Sequence, residues 1–74
     1  MNEQILKGNW NELKGYAHER WSKLTESDMD QIQGSKEKLV GRVQQVYGES
    51  RESAMEQVNR WLESMQEWAD KHNE

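Results

Sequence analysis

Apolar residues recur at intervals of three or four along almost the whole chain, a rhythm that only an α-helix places on one face. Leu6, Trp10, Leu13, Ala17, Trp21 and Leu24 form one such stripe, which predicts a first helix from about Asn2 to Lys23. Met29, Ile32, Leu39, Val43 and Val46 continue the rhythm. Ala54, Val58, Trp61, Met65 and Trp68, flanked by Met55, Leu62 and Ala69, give a last helix from Arg51 to about Lys71 a broad apolar face. Local propensity agrees, because proline is absent and the good helix formers Glu, Lys, Gln, Leu, Met and Arg are plentiful.

The boundaries between helices carry their own chemistry. Thr25-Glu26-Ser27-Asp28 reads as a helix start, since the Thr25 hydroxyl can accept from an early backbone N–H while the acids sit at the positive end of the dipole. Gly34-Ser35 interrupts the second apolar series, which predicts either a short helix from Glu26 to Gln33 followed by a longer one from Ser35 to Tyr47, or one helix kinked there. Gly48 stands where a left-handed cap is needed, and Ser50 can cap the last helix. Gly8 and Gly15, and again Gly34, Gly41 and Gly48, fall seven apart. Each glycine inside a helix costs about 1 kcal/mol relative to alanine, so Gly15, Gly34 and Gly41 are expected to admit a closely packed neighbour, with a deliberately softened helix as the alternative. Gly8-x4-Leu13-x-Gly15-x5-Trp21 is echoed by Gly34-x4-Leu39-x-Gly41-x5-Tyr47, through either shared ancestry or convergence on helix packing.

At 74 residues the chain has room for one domain, residues 1–74. The expectation is an all-α fold, a small three- to four-helix bundle with short loops. Only 32% of its residues are apolar, its mean hydropathy is −1.28, and it has no cysteine to reinforce so thin a core. Four tryptophans and two tyrosines nevertheless argue for folding over disorder. The predicted core is Leu6, Trp10, Leu13, Ala17, Trp21, Leu24, Met29, Ile32, Leu39, Val43, Val46, Tyr47, Val58 and Trp61. Leu62, Met65 and Trp68 form the candidate partner surface, since a protein with a specific partner should present a contiguous apolar patch.

Catalytic constellations are missing from the sequence. Its two histidines, His18 and His72, have no persuasive partner, and the carboxylate pairs Glu52 with Glu56 and Glu63 with Glu67 lie on a strongly polar helix where a solvated face is the expected role. The glycines lack the neighbours of a phosphate or calcium loop, and no zinc spacing occurs. These absences predict a protein that is not an enzyme and takes no cofactor or metal. Nucleic-acid binding is disfavoured by a net charge of −4, although Lys7, Lys14, Arg20 and Lys23 with Trp10 and Trp21 could form a local patch. Membrane binding is disfavoured by the acidic flanks of the last helix. Without an apolar run long enough for a membrane span or a signal peptide, the expected location is the cytoplasm. The expected assembly is a monomer or weak homodimer, with an unidentified protein as a conceivable partner.

One ordered set of residues carries a specific likeness: Gly8-Asn9-Trp10-x2-Leu13-Lys14-Gly15, Trp21-x2-Leu24-Thr25, Gly34-x4-Leu39-Val40-Gly41, Tyr47-Gly48 and Ser50-Arg51-Glu52-x-Ala54-x3-Val58-x2-Trp61. Over about residues 8–61 the chain resembles the CsbD-like family of bacterial general stress-response proteins, with residues 62–74 as a helical C-terminal extension that frays at its end. The resemblance implies a cytoplasmic helical bundle that acts as a non-catalytic binding or protective module. It supplies no catalytic residue and no settled molecular mechanism. A highly hydrated protectant without a specific partner is the alternative, and weak nucleic-acid binding a second.

Overall fold

The structure, a computed structural model, describes residues 3–72. Within them the chain forms five helices: α1 (Glu3–Gly8), α2 (Trp10–Arg20), α3 (Glu26–Ile32), α4 (Lys36–Tyr47) and α5 (Arg51–His72). No strand occurs among the described residues. The α5 helix runs most of the length of the molecule and packs along α4 and α1, while α3 packs on α4 and α1 on α2. The Cα radius of gyration is 11.5 Å, close to the roughly 11 Å expected of a folded chain of this length.

The expected first helix is two. It breaks at Asn9 and stops at Arg20 instead of Lys23, and its predicted start at Asn2 lies outside the described residues. Two local causes act at Asn9. Gly8 before it is a poor helix former, and Asn9 leaves helical geometry (φ −121°, ψ 24°) while its N–H (2.9 Å) and its side-chain amide (3.3 Å) both donate to the Ile5 carbonyl and close the end of α1. The Asn9 carbonyl in turn accepts from Leu13 N–H (2.9 Å), so α2 starts afresh. At the other end Trp21 leaves helical geometry (φ −126°, ψ 78°) while its N–H still donates to Ala17 O. Two tertiary bonds secure the loop beyond: Lys23 N–H donates to Tyr47 Oη (3.0 Å), and His18 Nδ1–H to Leu24 O (3.0 Å).

Thr25 starts α3 with a reciprocal capping box: its hydroxyl accepts from Asp28 N–H (3.1 Å) and the Asp28 carboxylate accepts from Thr25 N–H (2.8 Å). Between α3 and α4 the chain makes a true corner and not a kink. Gln33 (φ 47°) and Gly34 (φ 82°) are both left-handed, and Ser35 Oγ then accepts from Lys38 N–H (3.3 Å) to cap α4. Gly48 (φ 66°) ends α4 in the left-handed cap expected of it, and Ser50 Oγ accepts from Ser53 N–H (3.0 Å) to open α5.

The glycines divide by environment. A Cβ on Gly34 would stand 2.9 Å from Lys7 Cα and 3.0 Å from Leu6 O, so the corner is pressed against the α1 backbone and no larger residue fits. Gly15 and Gly41 correct the packing expectation, because a Cβ there would meet nothing within 4 Å. Both helical faces are open at those points.

Leu6, Leu13, Ala17, Trp21, Leu24, Met29, Ile32, Leu39, Val43, Val58 and Trp61 are buried. Trp10, Val46 and Tyr47, expected in the core, are only half-buried against it. The Asn9 break displaces Trp10 from the stripe it would occupy on one continuous helix. Val46 and Tyr47 lie in the last turn of α4, where the Tyr47 hydroxyl reaches outward to the Lys23 backbone. The core also takes in Val40, Ala54, Leu62, Met65 and Ala69.

Two alanine substitutions should therefore move stability in opposite directions. Gly34→Ala forces a Cβ into a left-handed residue against backbone, at a cost of about 2 kcal/mol or more, and should lower Tm in a circular-dichroism melt by roughly 10 °C. Gly41→Ala meets open space in mid-helix and should raise Tm by a few degrees, for a gain of about 0.5–1 kcal/mol.

Candidate functional site

The apolar face of α5 is covered by the protein itself. Leu62 is fully buried, Met65 is buried and Trp68 is half-buried against the same cluster, so the candidate partner surface at Leu62, Met65 and Trp68 is corrected to part of the core. The physical reason is length. A 22-residue helix spans the bundle, and α1, α2 and α4 together cover its inner face. Tyr16 meets Trp68 edge-on (ring centroids 5.9 Å apart), and His72 stacks on the same indole (4.6 Å, 20°). Tyr16, at 38% exposure, is the one exposed large hydrophobic side chain among the described residues.

Where the end of α2 crosses α5, a polar network surrounds a tryptophan pair. Trp21 and Trp61 pack edge to face (5.4 Å). Gln57 Oε1 accepts from Trp21 Nε1–H (3.3 Å) and from Arg20 Nη2–H (3.4 Å), and the Arg20 guanidinium lies 5.1 Å from the Trp21 ring centroid. The chain of bonds continues from Gln57 Nε2–H to Ser53 Oγ (3.3 Å) and from Ser53 Oγ–H to the Glu49 carboxylate (2.7 Å). Sequence reasoning missed Gln57. Its signal was its place one turn before Trp61 on the edge of the apolar face, where a side-chain amide can serve a buried indole.

The expected basic patch is dispersed. Trp21 is buried, Arg20 is engaged with Gln57, and Lys23 Nζ sits 5.4 Å from the Tyr47 ring centroid. Lys7, Trp10 and Lys14 do come together, along a surface cleft of about 550 Å³ that also touches Glu12, Asp30 and Gln33. A second cleft, between α3 and α4, is lined by Asp30, Gln33, Lys38 and Arg42 around Gly41. Arg42 there bridges to Asp28 (3.5 Å) and donates to Gln45 Oε1 (3.3 Å), which fastens α4 to α3.

Groups considered for chemistry are solvated or occupied. His18 and His72 each place Nδ1 against a main-chain carbonyl, of Leu24 and of Trp68 (2.8 Å) respectively. Glu52, Glu56, Glu63 and Glu67 are exposed on α5, with Glu56 accepting from Arg60 (3.0 Å). Thr25, Ser50, Gly34 and Gly48 are spent on caps and corners, as described above. No helix among the described residues is long and apolar enough to cross a membrane, and they contain no group of three or more His, Cys, Asp or Glu able to hold a metal.

The sequence matches the CsbD-like family over residues 4–56. The chain belongs to the CsbD-like family. This is a general stress-response family. Similar proteins include the UPF0337 protein ECA0631 of Pectobacterium atrosepticum, 44% identical over 61 residues that cover 82% of this chain and 88% of the relative. The UPF0337 protein YjbJ of Escherichia coli K12 is 41% identical over the same shares of the two chains. The UPF0337 protein pc0632 of Protochlamydia amoebophila is 41% identical over 54 residues, 73% of this chain and 82% of its own. No solved structure is significantly similar to the chain.

The family match starts before Gly8 and stops at Glu56, inside α5. Of this CsbD-like chain's buried residues, Val58, Trp61, Leu62, Met65 and Ala69 lie beyond that point, so residues 62–72 are structurally part of the bundle. A chain ending at Glu56 should lose cooperative unfolding in urea, because each large side chain removed forfeits about 1.5–3 kcal/mol of burial from a fold of this size that holds only about 3–5 kcal/mol. Gln57→Leu keeps the bulk but strands the Trp21 indole N–H. It should cost about 1–3 kcal/mol and change the tryptophan emission maximum without changing helix content.

Proposed function

We propose that this CsbD-like protein serves the stress response as a folded, non-catalytic protective module that works through its hydrated surface in the cytoplasm. The observation that carries the reading is the partition of side chains. The core is wholly apolar, with no polar or charged side chain buried among the described residues, so charged groups and amides are turned outward to water. A surface rich in charged groups is hydrated and favours solubility.

The covered α5 face favours this protective reading over a partner docked on Leu62, Met65 and Trp68. The alternative, in which composition alone protects and the fold is incidental, draws support from the mean hydropathy of −1.28. The two readings separate in a drying assay on a dehydration-sensitive reporter enzyme, comparing the native chain, the Gly34→Ala variant and a scrambled chain of identical composition. The folded-module reading expects the native chain to preserve several-fold more reporter activity than the scrambled one, with Gly34→Ala following whatever folded fraction circular dichroism gives it under the assay conditions. Equal protection by all three would transfer the function to composition.

A further inference from the structure

Trp10 is the tryptophan that the fold uses least. Trp21, Trp61 and Trp68 each pair with another aromatic ring, whereas Trp10 pairs with none among the described residues and is half-exposed at the first position of α2. Its placement follows from the break at Asn9, which ends α1 and restarts the chain so that the indole, packed on one side against the core, borders the 550 Å³ cleft. Lys7, near the end of α1, and Lys14, one turn after Trp10 on α2, line the same cleft, as do Asn9, Asn11 and Gln33. Within the segment Gly8–Gly15, Leu13 is the one residue buried in the core.

An aromatic face, two cations that line the same cleft and the amide-bearing residues Asn11 and Gln33 form a combination that matches one kind of ligand. A planar base stacks on an indole, amides read base edges, and lysines take phosphate as point charges. We propose that the cleft around Trp10 binds a nucleotide unit, with the base stacked on Trp10 and the phosphate held between Lys7 and Lys14. Glu12 and Asp30 border the cleft as well. They offset the two lysines and, with the net charge of −4, limit the affinity to roughly the millimolar range for a single nucleotide. The unit could be a free nucleotide or one residue of a single strand.

The test is an NMR titration of the full chain, with the Trp10 indole N–H resonance assigned by Trp10→Phe. AMP and a short single-stranded oligonucleotide are the two probes. The expected result is a saturable shift of the Trp10 indole and of the Asn9, Asn11 and Gln33 side-chain amides, with the Trp21 and Trp61 indoles unmoved. Stronger binding of the oligonucleotide, with a log–log salt slope of about −1.4 for two phosphate contacts, would identify the strand as the source, and equal binding the free nucleotide. Lys7→Gln with Lys14→Gln, verified as folded by circular dichroism, should weaken binding at least fivefold. Asp30→Asn, which removes a repelling charge from the cleft, should tighten it. Absence of any Trp10 shift with either probe, or a shift that persists unchanged in the double lysine variant, would overturn the proposal.

Discussion

The inner face of α5 is the surface on which the rest of the molecule is assembled. A chain with 32% apolar residues and no disulfide must collect its hydrophobic area in one place, and a single 22-residue helix presents Ala54, Val58, Trp61, Leu62, Met65 and Ala69 as one continuous wall. The α1 and α4 helices lie against it, and α2 reaches it through ring pairs, Tyr16 with Trp68 and Trp21 with Trp61. Large aromatic side chains allow a small protein to bridge helices without adding residues, and their edge-to-face geometry contributes beyond area alone. The same wall explains why the protein offers no broad apolar patch on this helix: the face wide enough to attract a partner is the face the bundle needs.

What turns the shorter elements onto that wall and onto one another is a set of corners determined by individual residues. Asn9 interrupts the first helical stretch, the Thr25–Asp28 capping box starts the third element, and the left-handed pair Gln33 and Gly34 reverses the chain into α4. Gly34 links these local events to the tertiary structure, since the same missing Cβ that permits φ of 82° also lets the α1 backbone approach to contact distance. Sequence-local and long-range requirements coincide at one position, as minimally frustrated folds require. The 21–25 loop is tied in a comparable way by Tyr47 and His18, whose polar atoms satisfy its backbone instead of projecting into solvent.

Helix periods were legible in the sequence because burial enforces them. The bounds of α3, α4 and α5 follow from capping residues whose chemistry is local, and Thr25, Ser35, Gly48 and Ser50 act where their residue types suggest. The break at Asn9 was not legible, because the apolar stripe from Leu6 to Leu24 runs across it with unchanged spacing and a side-chain-to-backbone bond leaves no trace in periodicity. The choice between a kink and a corner at Gly34 was decided by the left-handed Gln33, a conformation unusual for that residue type. Membership of the CsbD-like family could be read from the ordered Trp, Gly and Tyr-Gly pattern. The fate of the α5 face could not, since spacing shows that Leu62 and Met65 share a face but not how much of it the other helices will cover.

The open glycines bear on what the surface is for. Gly15 and Gly41 each sacrifice about 1 kcal/mol of helix propensity with no neighbour close enough to need the space. In a bundle with little stability to spare, such residues act against folding unless smoothness or polarity of the surface matters more. Both border shallow clefts beside α3, Gly15 with Lys14 and Glu26 and Gly41 with Lys38 and Arg42. A methyl at either site would add apolar area to a surface on which, among the described residues, Tyr16 is the one exposed large hydrophobic side chain. On the proposed reading, stability is held below its attainable value in exchange for a hydrated exterior, and the covered face of α5 and the bare backbone at Gly15 and Gly41 are two expressions of that single demand.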